Sequence, residues 1–207
     1  MILLVKIPKR TPFLRMTSNL IVLDDFYTNV DQVRKLALSV PYEVKGNYPG
    51  QRSDPHIAPG VKPMFEKLLG LPITYWPEDK YNGAFQYATA KEDSWVHRDA
   101  TDWAAIIYLT PDAPVSSGTA FYRHVDTGLD LIPEGVQPGI QAQMDRDSQR
   151  MDKWTEVDRV GNIYNRCVIF NGRRSHRSCD YFGDSLENGR LFQLFFFNTQ
   201  TQHASLT

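Results

Sequence analysis

Cysteine is scarce in this chain: only Cys167 and Cys179 occur among 207 residues, and they form no CxxC pair. That excludes a disulfide-stapled scaffold and a thiolate zinc module, and it suits a reducing cytoplasm. Both are expected to be core thiols. Long apolar runs are missing as well. The N-terminal run from Ile2 to Val5 is broken by Lys6, too short for a signal-peptide core or a membrane span, so a cytoplasmic protein without a membrane partner is expected. Internal repeats and low-complexity tracts are absent, which excludes a solenoid. Charge is balanced at a formal net −1, giving no electrostatic reason to expect nucleic acid. What remains is 42% hydrophobic and 12% aromatic residues, the content of an ordinary globular domain long enough to bury a core.

The first third reads as mixed helix and strand. IVLDDF (21–26) predicts a strand, and Thr28 is placed to cap a helix through NVDQVRKLALSV, whose Val30, Val33, Leu36, Ala37 and Val40 form one apolar stripe stopped by Pro41. A Gly- and Pro-rich loop, YEVKGNYPGQRSDPHIAPG, then leads to a short helix, PMFEKLLG, closed by Gly70. From about Tyr81 the pattern changes to short apolar runs separated by turns: GAFQYAT, SWVHRD, WAAIIYLT, GTAFYRH, RCVIF, HRSCDYF and RLFQLFFF. Strands at this spacing without helices between them predict an antiparallel double sheet or jelly roll, giving a mainly β (α+β) protein with flanking helices. The stretch 125–160 interrupts the strands, and Met144, Met151 and Trp154 are expected to line a helix of an ordered lid.

Two histidines are followed two residues later by an aspartate, in HRD (97–99) and HVD (124–126). On a strand such residues share a face, so either pair can reach one ion. His124 and Asp126 run into GLDLIPEGVQPG, which cannot continue a sheet, and they read as a loop mouth. His97 and Asp99 lead into a clear strand, WAAIIYLT, and His176 supplies a third ligand from a late strand. Two histidines and one carboxylate on one face of a metal leave open positions, the arrangement that suits Fe(II) and oxygen chemistry. Arg190 opens RLFQLFFF, with Phe192, Leu194 and Phe196 on its face and Leu191, Phe195 and Phe197 opposite. An arginine on a strand buried on both faces, next to the strand bearing His176, is a desolvated fork for a carboxylate, or else the partner of Glu187 or Asp184.

Taken in order, HRD, IIYLT, SGTAFYRH, His176 and Arg190 resemble the 2-oxoglutarate and iron(II)-dependent dioxygenases, in their prolyl-hydroxylase-like branch, over roughly Tyr81 to Asn198. The resemblance implies a double-stranded β-helix and one oxygenase domain over 1–207, with 1–80 as support, 81–198 as core and 125–160 as the lid-like insertion. It implies Fe(II) held by His97, Asp99 and His176, and 2-oxoglutarate anchored by Arg190 with Tyr108 and Tyr87 assisting. With O2 as cosubstrate, the expected reaction is hydroxylation of a C–H bond of a peptidyl, prolyl or small-molecule substrate, releasing succinate and CO2. The carboxylate at position 99 favours hydroxylation over halogenation. The loop GNYPGQRSDPH and Arg173, Arg174 and Arg177 are expected to border the site, and Trp95, Trp103 and Tyr122 to line a groove for a peptide. His56 and His203 are not expected to be ligands. Two other readings are a cupin-like metal dioxygenase without 2-oxoglutarate and a non-catalytic jelly-roll binding or virion structural protein.

Overall fold

The computed structural model describes residues 19–79, 81–132 and 135–200; the N-terminal apolar run and His203 lie outside them. Among the described residues ten strands follow in chain order: β1 (Leu20–Leu23), β2 (Gln51–Pro55), β3 (Ile73–Tyr75), β4 (Ala84–Ala88), β5 (Trp103–Tyr108), β6 (Thr119–His124), β7 (Trp154–Val160), β8 (Cys167–Asn171), β9 (His176–Ser178) and β10 (Arg190–Thr199). Helices α1 (Val30–Ala37) and α2 (Val61–Leu69) precede β4, and α3 (Pro138–Arg146) precedes β7. Two antiparallel sheets result. The larger runs β1-β8-β5-β10-β4-β2, with β3 paired to β10; the smaller runs β7-β6-β9. This is the expected jelly roll.

Period-two burial on β10 explains the layering. Phe192 and Leu194 point between the sheets with Tyr108, Phe121, Val168 and Phe170. Leu191, Phe195 and Phe197 point the other way, onto Phe65 of α2 and the flank of α1. Phe65 stacks on Phe197 at a centroid distance of 5.3 Å, and burying such a ring contributes roughly 2–3 kcal/mol. Gln193, also on the helix side, satisfies its amide by donating to His56 O (2.7 Å) and Gly83 O (2.9 Å) and accepting from Tyr27 Oη (2.6 Å). Helix α2 ends as predicted, with Gly70 in the left-handed region at φ 66°. Cys167 and Cys179 are both free and buried.

Several expectations are corrected. Asn29, not Thr28, is the N-cap of α1, its carbonyl receiving Gln32 N and Val33 N. The helix stops at Ala37, and Leu36 is exposed. A strand, β2, runs inside the stretch read as a loop, because an edge strand is made by backbone pairing with β4 whatever its polar side chains. SWVHRD is not a strand; it carries a single bridge, His97 to His176. Trp154 opens β7 instead of lying on a helix, Met151 is exposed, and only Met144 is buried on α3. A bulge between Phe121 and Tyr122 shifts the β6–β7 register and hides β7 from a simple alternation test. The described part of the stretch 125–160 packs away from the central cavity. Met144, Trp154 and Ile132 pack with Val96 and Tyr122 in a third apolar cluster, and no described residue of this stretch lines the central cavity.

Candidate metal centre

A cavity of about 410 Å³ opens between the sheets, with Ala104, Ile106, Phe170, Phe192 and Leu194 among its walls. His97, Asp99 and His176 line it, and one potential ligand atom from each lies within 4.8 Å of the others. Backbone pairing sets this convergence. His97 N donates to His176 O and His176 N to His97 O, both at 2.9 Å, while Asp99 N donates to Gly172 O at 2.8 Å. Gly172 is required there for space, since a Cβ would stand 2.5 Å from Thr101 O and 3.1 Å from Asp99 Cβ. The segment is braced from outside by Val96 N to Ser148 O (2.9 Å) and by an Arg98–Asp145 ion pair (2.6 Å).

The hydrogen bonds fix both imidazoles in one tautomer. His176 Nδ1 lies 2.8 Å from Arg174 O and His97 Nδ1 3.1 Å from Trp95 O. A carbonyl only accepts, so each Nδ1 carries the proton and each Nε2 presents a lone pair. His176 Nε2 then faces Asp99 Oδ2 at 3.5 Å, acceptor against acceptor. Asp99 Oδ2 is buried and receives no hydrogen bond. Burial pushes the Asp99 carboxyl up to about 6, against the lowering influence of His97 and Arg52. Burial also holds the His176 imidazole well below its usual range, with His97 adding to the effect. Three acceptors brought together without a donor are suited to a divalent cation, and two nitrogens with one carboxylate suit iron.

The second pair behaves differently. His124, Asp126 and Asp147 also offer atoms within 4.8 Å, but their partners are already in place. His124 bonds Thr127 Oγ1 (3.0 Å) and Asp147 Oδ2 (3.2 Å), Asp147 meets Arg150, and Asp126 is held by Lys153 at 3.0 Å. This cluster ties β6 to the turn after α3.

Arg190 is fully buried and forms no ion pair with Glu187 or Asp184. It donates from Nε to Ser117 O (2.8 Å) and from Nη2 to Gly118 O (3.2 Å), leaving Nη1 buried without a partner. Its strand is not beside that of His176: β10 belongs to the larger sheet and β9 to the smaller. Tyr108 is buried on Arg190's side of the sheet and bonds Thr119 Oγ1 at 2.8 Å; burial raises its phenol, which stays protonated at neutral pH. Thr119 lines the cavity and was not singled out from the sequence, although its parity with Phe121 on β6 points it inward. Tyr87 is a correction. It pairs with Leu191 and packs against Tyr42 (5.1 Å) on the helix side, while its neighbour Gln86 lines the cavity. Of the expected groove aromatics only Trp95 lines the cavity; Trp103 bonds Thr199 and Tyr122 is buried beside Cys179. Arg174 pairs with Asp158, and the cavity's arginines are Arg52 and Arg98.

The structure of HygX from Streptomyces hygroscopicus with nickel, 2-oxoglutarate and hygromycin B bound is similar at a TM-score of 0.56, with 11% identity over 90% of this chain and 84% of that one. The same protein with nickel and 2-oxoglutarate gives 0.54 and 13% over the same shares. The non-haem α-ketoglutarate-dependent epimerase SnoN from nogalamycin biosynthesis gives 0.50 and 15%, over 86% and 77%. The fold is therefore the one these structures share, a double-stranded β-helix. No curated protein matches the sequence. A family model matches residues 8–196, most of the sequence, and by that match the chain belongs to DUF6445, a family of unknown function.

Proposed function

We propose that this protein is a non-haem Fe(II) and 2-oxoglutarate-dependent oxygenase that hydroxylates a C–H bond of its substrate. One observation carries the reading: of the four buried side-chain atoms without partners among the described residues, the two on charged groups are of opposite character, the acceptor Asp99 Oδ2 and the donor Arg190 Nη1. The first is met by a metal cation and the second by a carboxylate. His97, Asp99 and His176 hold the metal. Arg190 takes the distal carboxylate of 2-oxoglutarate, with Thr119 at the cavity wall and the Tyr108 hydroxyl orienting Thr119 from behind. Bound iron, with 2-oxoglutarate and O2, supplies the oxidising power, and succinate and CO2 leave as products. The chain's own share is to orient and to exclude water. Phe170, Phe192, Leu194 and Phe196 give that part of the cavity apolar walls. At about 410 Å³ the cavity falls in the range of small-molecule sites, roughly 300–1,000 Å³. The substrate is a small molecule or a single side chain of a larger one; the similar HygX structure holds hygromycin B.

Anaerobic titration of the metal-free protein with Fe(II) and then 2-oxoglutarate tests this. The expected result is the weak visible charge-transfer band of a chelated keto acid, absent in Asp99→Ala. Iron binding without a band would leave a metal protein that does not use 2-oxoglutarate; no iron binding at all would remove the reading.

A further inference from the structure

One cation lining the cavity has no counter-charge among the described residues. Arg52 on β2 is 93% buried, with 7% of its surface exposed, and lines the cavity with Tyr48, Tyr81 and Gln86. Its guanidinium lies 3.7 Å from the Tyr48 ring centroid and 5.1 Å from that of Tyr81. Nε and Nη2 both donate to Gln86 Oε1, and Gln86 is itself fixed by donating to Pro49 O at 2.7 Å. That uses the side edge of the guanidinium. The end edge, with Nη1 and the second Nη2 hydrogen, is held in a defined plane with no protein acceptor among the described residues.

Other arginines near the site are already neutralised, Arg98 by Asp145 and Arg174 by Asp158. Arg52 pairs with no carboxylate among the described residues. The acids acting on it from a distance are Asp99 and Asp79. Asp99 faces His176 Nε2 at 3.5 Å and forms no ion pair with Arg52, and Asp79 Oδ1 accepts from Tyr81 N and Asn82 N. A buried cation clamped on one edge, stacked on one face and open on the other edge is a receptor for an oxyanion. We propose that Arg52 binds an acidic oxygen group of the substrate, a carboxylate or a phosphate, so that the substrate is an anion whose charged end sits beside Tyr48 and Tyr81. The word substrate rests on the oxygenase reading; the anion site itself does not.

The test is isothermal titration of the full chain, loaded with Ni(II) and saturated with 2-oxoglutarate, using acetate, methyl phosphate and acetamide as probes. At least one anion should bind in the millimolar range and acetamide should not; the tighter anion identifies the group. Arg52→Gln should weaken that binding on the order of tenfold or more, and Arg52→Lys should restore part of it. Retained Ni(II) and 2-oxoglutarate binding in Arg52→Gln shows that the variant is folded. Equal anion binding by Arg52→Gln and the parent, or no anion binding by the parent, overturns the proposal. Failure of 2-oxoglutarate to bind the parent would instead count against the oxygenase reading. The same titrations on the Ni(II)-loaded protein alone would then still test whether anion binding depends on Arg52.

Discussion

Replacing Asp99 by Asn should make the metal-free protein more stable, and the gain should depend on pH. Burial raises the folded-state pKa of this carboxyl from 3.8 to about 6. The folded state therefore holds the proton more tightly than the unfolded chain does. Stability from this group is fully present below about pH 4 and is lost as pH rises through about 6. Above that range, about two pH units at 1.36 kcal/mol each put the penalty of the buried carboxylate at about 3 kcal/mol. Asparagine carries no such penalty, and its amide can donate to the His176 Nε2 lone pair that Oδ2 now faces at 3.5 Å. Urea unfolding in EDTA at about pH 7.5 should show Asp99→Asn ahead by about 3 kcal/mol, with about half of that left near pH 5. Metal at ~1,000 times its Kd should reverse the order, since binding then adds about 4.1 kcal/mol to the form that binds it. A less stable Asp99→Asn in EDTA near neutral pH, or a gap that does not narrow on acidification, would mean that the carboxylate already has a compensating partner, and the argument for a cation there would fail.

Metal affinity should fall as pH drops below about 6, because the Asp99 carboxyl takes up a competing proton while His176, held well below its usual range, is already neutral; Zn(II) affinity that does not change between about pH 7 and pH 5 would contradict this. Gly172→Ala puts a Cβ 2.5 Å from Thr101 O and 3.1 Å from the Asp99 Cβ, so Zn(II) affinity should drop on the order of tenfold to a hundredfold with the far-UV spectrum retained; unchanged affinity would show that the Asp99 segment gives way freely. Arg190→Lys keeps the charge but loses the planar fork that serves Ser117 O, Gly118 O and the free Nη1. It should weaken 2-oxoglutarate binding on the order of tenfold to a hundredfold while leaving metal affinity alone, and parallel losses in both titrations would refute the separation of roles.

The sequence carried the central strands and the three candidate ligands for different reasons. Strands β5, β6, β8 and β10 are buried on both faces and cannot avoid apolar runs. Strands β2 and β7 are edges, held by backbone pairing on one side, and QRSDP and WTEVDRV give no apolar run or clean alternation to betray them. The convergence of His97, Asp99 and His176 was legible although SWVHRD is not a strand, because spacing by two orients side chains alike in any extended segment, looped or laddered. Tyr87 failed on parity: only the pairing of Leu191 with Tyr87 reveals that it faces the helices and that Gln86 faces the cavity. Arg52 was hidden by its surroundings, since Gly and Pro on either side of β2 make the whole stretch read as a loop. Its unpaired charge is visible only in three dimensions.

On the proposed reading, why two candidate ligands sit on a tied loop beside the third at the start of β9, and the anchoring cation on a buried strand, follows from what each must do. Metal ligands present lone pairs to one point, so before the ion arrives they repel, and something else must hold them. Here it is the backbone, through the reciprocal His97–His176 bonds and the Asp99–Gly172 bond, reinforced by Val96 to Ser148. Ordering a residue costs about 1–2 kcal/mol in backbone entropy, so a site ordered in advance spares the incoming ion roughly 3–6 kcal/mol over three ligands. The free energy comes instead from the apolar contacts of Val96, Met144 and Trp154 behind that segment. Arg190 faces the opposite demand. A guanidinium whose Nε and Nη2 are spent on Ser117 O and Gly118 O can turn only with β10, and β10 is pinned on both edges and packed on both faces. Its single free Nη1 is thereby held in place, and on the proposed reading a carboxylate that meets it encounters a donor with little rotamer freedom left to lose.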